Sequence, residues 1–298
     1  MQSFISKYTP LSLLLFCSLL LTSCLDSSTN SGQQRQNLLE TAKSVTQGQD
    51  RDEVLTTFVG LLEDADLDST VANEGPQTVI APTNDAFDNL SIDITTLDST
   101  QVTEILNYHR IEEPVNFSQI SGEENFQSDQ GGDLFFEVTQ DSVFINDSNY
   151  LGGVSATNGP LYIVNKVLLP DAYLDVYGLI AKRSSLNALE SAIDEVNLGS
   201  DLEDESASYT VFAPSDEALE NDELSGNAIQ YHVLNEKVFS NNISGTYTTL
   251  SGDEVTIDVS GSTVTYNDEE VTFTEENIEG TNGVVHIIDT ALPPPSSE

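Results

Sequence analysis

The stretch Thr78-Val79-Ile80-Ala81-Pro82-Thr83-Asn84-Asp85-Ala86-Phe87 is met again, 132 residues further on, as Thr210-Val211-Phe212-Ala213-Pro214-Ser215-Asp216-Glu217-Ala218-Leu219. An apolar run closed by proline and followed by Thr or Ser reads as a strand, a stop to sheet pairing and a helix N-cap. The hydroxyl of Thr83 or Ser215 accepts a free backbone N–H. Asp85, Asp216 and Glu217 fall in the first turn, where the helix dipole favours negative charge, and Phe87 and Leu219 then point inward.

Further segments repeat in the same order. Tyr108-His109 recurs as Tyr231-His232, and Asn158-Gly159-Pro160-Leu161-Tyr162-Ile163-Val164-Asn165 recurs as Asn282-Gly283-Val284-Val285-His286-Ile287-Ile288-Asp289. The offset falls from 132 to 123 and 124, which places a deletion of about nine residues in the second copy between its first two motifs. Upstream, Leu55, Phe58 and Leu62 match Leu186, Leu189 and Ile193, spaced to share one helical face. A shorter helix near Leu38 to Val45 matches one near Asp175 to Lys182. The later part of each copy is short and β-rich: Leu134 to Val138, Val143 to Asn146 and Leu161 to Val167, then Val255 to Val259, Thr263 to Tyr266, Val271 to Thr274 and Val284 to Ile288. Helices grouped ahead of strands predict an α+β class. The boundaries are a leader over residues 1–23, a tether over 24–35, domains over 36–170 and 171–294, and a tail over 295–298.

These motifs resemble the fasciclin family, whose domains carry a Thr-Val-Phe-Ala-Pro-Thr-Asn-x-Ala-Phe stretch, a Tyr-His pair, and Asn-Gly-x-x-His-x-Ile-Asp before Leu-x-Pro. The resemblance covers nearly all of residues 36–294. It implies two tandem domains, each a wedge of two β-sheets flanked by short helices, in an extracellular or envelope protein of adhesion or matrix contact, not in an enzyme. Tyr162 stands where the family often has His, and Asn165 where it has Asp; Leu219 and Ser215-Asp216 depart in the second copy. The candidate binding positions are Tyr108, His109, Tyr231, His232, His286 and Asp289. The Tyr-His segment enters this set through the family, in whose animal members it is linked to receptor binding.

The leader has its own signature. Lys7 precedes an almost unbroken apolar run from Leu11 to Leu21, the length of a signal-peptide core and too short to span a bilayer. Leu21-Thr22-Ser23-Cys24 then resembles the lipobox of bacterial lipoproteins, which implies cleavage before Cys24 and lipid on its sulfur. Membrane attachment through Cys24 is therefore expected, in the cell envelope. Leu25 after the cysteine favours an outer-membrane protein facing the periplasm or the cell exterior. Leu25 to Gln36, rich in Ser, Asn, Gln and Gly, reads as a tether. With Cys17 in the leader and Cys24 lipidated, the domains hold no disulfide and no cysteine nucleophile.

Fifty acidic residues against nine basic ones give a formal charge of −41. Nucleic acid is excluded as a partner, since a phosphate binder needs a basic patch. The charge fits a salt-adapted, highly soluble surface and invites at most weak, diffuse binding of divalent cations. Asp64, Asp66 and Asp68 alternate like a calcium loop, but Ser69 and Gly75 occupy the positions where an EF-hand has Gly and Glu. The three histidines are His109, His232 and His286. His232, His286 and Asp289 invite a catalytic reading, yet no nucleophile elbow accompanies them, and the competing reading is an imidazole bonded to backbone at a helix-to-strand junction. No cofactor and no metal site is expected. The partner is a surface protein or polysaccharide; the alternative is a glycan or small-ligand binder assisted by cations.

Overall fold

Leu55, Phe58 and Leu62 are fully buried along helix α2 (Thr56–Asp64) in the computed structural model, and Leu186, Leu189 and Ile193 are buried at and along α7 (Asn187–Glu195). The structure describes residues 36–45, 54–219, 224, 226–260, 263–267 and 269–292. The leader, Cys24, the tether up to residue 35 and the tail over 295–298 lie outside the described residues. Among those described, no helix is long and apolar enough to cross a membrane.

The first domain runs α1 (Leu38–Val45), α2, α3 (Asp68–Asn73), β1 (Thr78–Pro82), α4 (Asn84–Asp88), α5 (Ser99–Tyr108), β2 (Arg110–Ile111), β3 (Gly122–Gln127), β4 (Asp133–Val138), β5 (Val143–Ile145), β6 (Ser148–Ala156) and β7 (Gly159–Val164). The second runs α6 (Val176–Ala181), α7, α8 (Gly199–Leu202), β8 (Tyr209–Pro214), α9 (Gly226–Tyr231), β9 (Val233–Leu234), β10 (Gly245–Thr248), β11 (Glu254–Ser260), β12 (Thr263–Tyr266), β13 (Glu269–Glu279) and β14 (Gly283–Ile288). The strand orders are β2-β1-β7-β6-β5-β4-β3 and β9-β8-β14-β13-β12-β11-β10, the same topology twice. In each, only one pair, β1 with β7 or β8 with β14, is parallel.

The two sheets of each wedge are halves of one ladder. Ser148 and Asn149 of β6 pair with β5, and after a bulge near Tyr150 the rest of the strand pairs with β7. β13 crosses in the same way, pairing with β12 up to Thr272 and with β14 from Phe273. A bulge bends a strand and raises its twist, which turns one half-sheet toward the other.

β1 and β8 are buried on both faces, which explains why their apolar runs do not alternate with polar residues. Val79 and Ala81 face the helix-side core with Phe58 and Leu62, while Ile80 faces the sheet-to-sheet core with Tyr108, Phe136 and Val164. In the second domain Val211 and Ala213 take the first role and Phe212 the second. Each buried Val, Leu, Ile or Phe side chain among them contributes about 1.5–3 kcal/mol against exposure.

The proline reading needs a correction. Pro82 and Pro214 still pair, opposite Val164 and Ile288, and the ladder ends one residue later, where the N–H groups of Thr83 and Ser215 donate to the same two carbonyls. Thr83 caps α4 as expected, its Oγ1 accepting from Ala86 N–H at 3.2 Å; Ser215 Oγ accepts from Ala218 N–H at the same distance, but the residues it caps, 216–219, form a turn and not the expected helix. Asp64 closes α2, Asp66 sits in the left-handed turn at φ 56°, and Asp68 opens α3. Asn197 occupies the same turn in the second copy at φ 55°. The acidic triplet is thus a helix end and a helix start joined by a turn.

Candidate functional site

Both Tyr-His histidines are completely buried and hold backbone. A carbonyl can only accept and an amide N–H can only donate, so the tautomer is fixed: His109 Nδ1–H donates to Ile105 O at 2.8 Å, and Nε2 accepts from Leu168 N–H at 3.0 Å. His232 repeats this with Ala228 O at 2.7 Å and Leu292 N–H at 2.8 Å. Each ring pins the end of a helix to the chain leaving the sheet. Burial holds both imidazoles down to about 4 against a partly compensating bond to the carbonyl. Neither nitrogen is left for a substrate proton or a metal.

The tyrosines before them are equally interior. Tyr108 Oη donates to Asp133 O at 2.5 Å and accepts from Asn146 Nδ2 at 3.3 Å; Tyr231 Oη accepts from Asn267 Nδ2 at 2.6 Å. Asn146 and Asn267 are left-handed turn residues (φ 52° and 48°), and their Oδ1 atoms accept from Phe135 N–H and Thr256 N–H. Asparagine suits a turn that needs both a positive φ and a side-chain acceptor.

The last motif explains its own departures. Tyr162 Oη donates to Val115 O at 2.6 Å, and His286 Nε2–H donates to Val238 O, the equivalent carbonyl, at 3.1 Å. His286 Nδ1 accepts from Asn277 N–H, and the ring stacks on Phe273 with centroids 4.9 Å apart. Desolvation lowers its pKa as well. Asn165 Oδ1 accepts from Asn149 N–H at 2.7 Å, and the exposed Asp289 Oδ1 accepts from Thr272 N–H at 2.8 Å. Amide and carboxylate are interchangeable because only an oxygen is used. His232, His286 and Asp289 form no hydrogen-bonded set, since each is committed to backbone.

Two further positions carry the motifs and escaped the sequence reading. Asn158 Oδ1 accepts from Leu38 N–H while its Nδ2 donates to Val71 O and Glu74 O; Asn282 does the same with Val176 N–H, Leu202 O and Asp204 O. Each ties the first helix of its domain to the third and to the last strand. Thr78 and Thr210 brace the chain after the Tyr-His segment, donating to Glu113 O and Glu236 O and accepting from Val115 N–H and Val238 N–H. The signal available was their recurrence at the same place in both copies.

The Tyr-His pairs, Tyr162 and His286 therefore face inward, and what the surface presents is negative. Each of the six described lysines and arginines is paired: Lys43 with Glu63, Arg110 with Asp129, Lys166 with Asp147, Lys182 with Asp171, Arg183 with Glu275 and Lys237 with Glu279. Among the described residues, no three His, Asp or Glu side chains converge as a metal site. A cleft of about 720 Å³ runs between the domains, with Asn89, Asp147 and Lys166 on one wall and Tyr177, Glu190 and Glu203 on the other.

The fasciclin domain model matches residues 53–170 and again 184–294. The chain belongs to the fasciclin domain family. The cell surface glycolipoprotein MPB83 of Mycobacterium bovis is 38% identical over 104 residues, which is 34% of this chain and 46% of that protein. Pig transforming growth factor-beta-induced protein ig-h3 is 28% identical over 259 residues, covering 82% of this chain and 37% of its own. Human periostin is 26% identical over 253 residues, 80% of this chain and 30% of periostin. The chain thus spans less than half the length of these relatives. Among solved structures, a domain pair from the insect cell adhesion molecule Fasciclin I aligns with a TM-score of 0.54 at 18% identity, over 80% of this chain and 97% of that one. That likeness establishes the tandem fold.

The interior wiring of these fasciclin domains is testable by exchange between copies. Tyr162→Phe leaves the buried Val115 carbonyl without its donor and is expected to cost about 1–3 kcal/mol. Asn165→Asp, which installs the acceptor of the second domain, is expected to stay within about 0.5 kcal/mol of the parent. Urea unfolding of the two variants reads both values.

Proposed function

We propose that this chain is a lipid-anchored adhesion protein of the bacterial cell envelope, held by acylated Cys24 and presenting its fasciclin domains to a surface protein or polysaccharide. The observation that carries this reading is the union, in one chain, of a lipobox at Leu21 to Cys24 with two fasciclin domains. Relatives named as a cell surface glycolipoprotein and as a cell adhesion molecule support it. Contact is made by the exposed polar surface, because the Tyr-His side chains are enclosed. Two weak sites on one chain raise avidity without a strong single site. The reading is non-catalytic: all three histidines are engaged through both ring nitrogens.

The interdomain cleft favours a second reading, a binder of a glycan or small ligand assisted by cations, since its walls mix tyrosine, amide and carboxylate groups. Expression in a poorly adherent bacterial host separates the two. Adhesion predicts increased attachment that is lost with Cys24→Ser, together with palmitate labelling of the parent only. Unchanged attachment with saturable binding on a glycan array would transfer the function to the cleft.

A further inference from the structure

Two cations are buried where the domains meet. Lys182 and Arg183, at the end of α6, are each 3% exposed. Lys182 Nζ donates to Asp171 Oδ1 at 2.5 Å and, across the junction, to Tyr108 Oη at 2.9 Å. The same ammonium lies 5.3 Å from the Tyr108 ring centroid and 5.6 Å from that of Phe135. The Arg183 guanidinium lies 4.9 Å over Phe135, donates to Leu179 O at 2.8 Å and meets Glu275 at 3.3 Å. Its Nε is buried without a hydrogen-bond partner. Ser184 Oγ donates to Glu123 on β3 of the first domain. Burying charge is unfavourable unless partners are close and well oriented, and here the partners come from both domains.

The repeat supplies an internal control. Leu38 N–H and Val176 N–H make the same bond, to Asn158 and Asn282, so Lys182 and Arg183 correspond to Ser44 and Val45. Phe135 N–H and Thr256 N–H bond Asn146 and Asn267, so Phe135 corresponds to Thr256. The first domain folds without the basic pair and the second without the aromatic ring. Tyr108 and Tyr231, in contrast, are present in both. The cations and Phe135 are therefore not requirements of the domain; they occur where one domain meets the other.

We propose that Lys182 and Arg183 form an interdomain key, seated against Phe135 and Tyr108, that locks the two fasciclin domains into one rigid body unfolding as a single unit. This does not rest on the adhesion reading and holds or fails without it. Two domains fixed at one angle present their outer surfaces at a set spacing, where a free linker would let them reorient.

Calorimetry of the full chain in detergent tests the lock. The parent is expected to melt in one transition with a calorimetric to van't Hoff enthalpy ratio of about 1. Phe135→Thr, and separately Lys182→Ser with Arg183→Val, are expected to split it into two transitions with a ratio of about 2. Phe135→Thr is protected from a folding failure because the second domain carries threonine there. Two transitions in the parent, or a single transition at a ratio of about 1 in Phe135→Thr, would overturn the proposal. A purely local role for Phe135 would lower the melting temperature without changing the ratio.

Discussion

Lowering the pH from 7 to 5 is expected to remove about 2 kcal/mol of folding stability from each domain, rising to about 3 kcal/mol by pH 4. The cause is the pair His109 and His232, whose folded pKa values of about 4 lie below the ordinary 6.5. The unfolded chain binds a proton at each imidazole once the pH falls through 6.5, and the folded chain refuses it until about 4. The stabilisation is therefore intact above 6.5 and lost as the pH falls between those values. Neutralising carboxylates on a chain of charge −41 works in the opposite direction by relieving self-repulsion, chiefly below about pH 5. Urea titrations at pH 7, 6 and 5 isolate the histidine contribution. Imidazole nitrogen shifts that titrated near 6.5 in the folded protein would refute the assignment.

Gly159→Ala is expected to destabilise the first domain by more than about 4 kcal/mol. Gly159 opens β7 at φ +143°, where side chains are strained, and a Cβ there would be driven into the Gln77 carbonyl just ahead of β1. The clash is backbone against side chain at the parallel pair, so no rotamer relieves it. Gly283 meets Tyr209 O and Val176 in the same way and should behave alike in the second domain. Gly122→Ala is the control, since it also has a positive φ, 80°, but opens onto empty space; it is expected to cost about 1–2 kcal/mol. Thermal melts of the three variants rank them.

Much of the fold was legible because repeated segments must build the same elements twice. The helical spacing of Leu55, Phe58 and Leu62 and the apolar runs at β1, β7, β8 and β14 all became the elements expected. β3, β6 and β10 were missed for a physical reason. Gly122-Glu123-Glu124-Asn125-Phe126-Gln127 is an exposed edge strand, β6 carries Gly152-Gly153, and Gly245-Thr246-Tyr247-Thr248 is an exposed edge as well. Their pairing comes from the ladder, not from residue preference. The site was less legible. Tyr108 and His109 entered the candidate set through the family resemblance, beside the reading of an imidazole bonded to backbone; a polar side chain in a sequence does not disclose whether water or a carbonyl satisfies it, and the structure shows the carbonyl. Lys182-Arg183 carried no signal in the sequence, since the partners that bury it, Tyr108 and Phe135, lie more than 40 residues away.

The way each domain receives its incoming chain bears on how it would carry mechanical load. Thr157 N–H donates to Gln36 O at 2.9 Å and Asn158 takes Leu38 N–H, while Thr281 N–H donates to Leu174 O at 2.7 Å and Asn282 takes Val176 N–H. Tension applied at the N-terminal end reaches the first domain's two bonds before any strand. The short α1 helix is thus the first element to bear a pull, and it is held there by Leu38, Leu39 and Ala42, buried against Val79, Ala81 and Leu161 of the parallel strands.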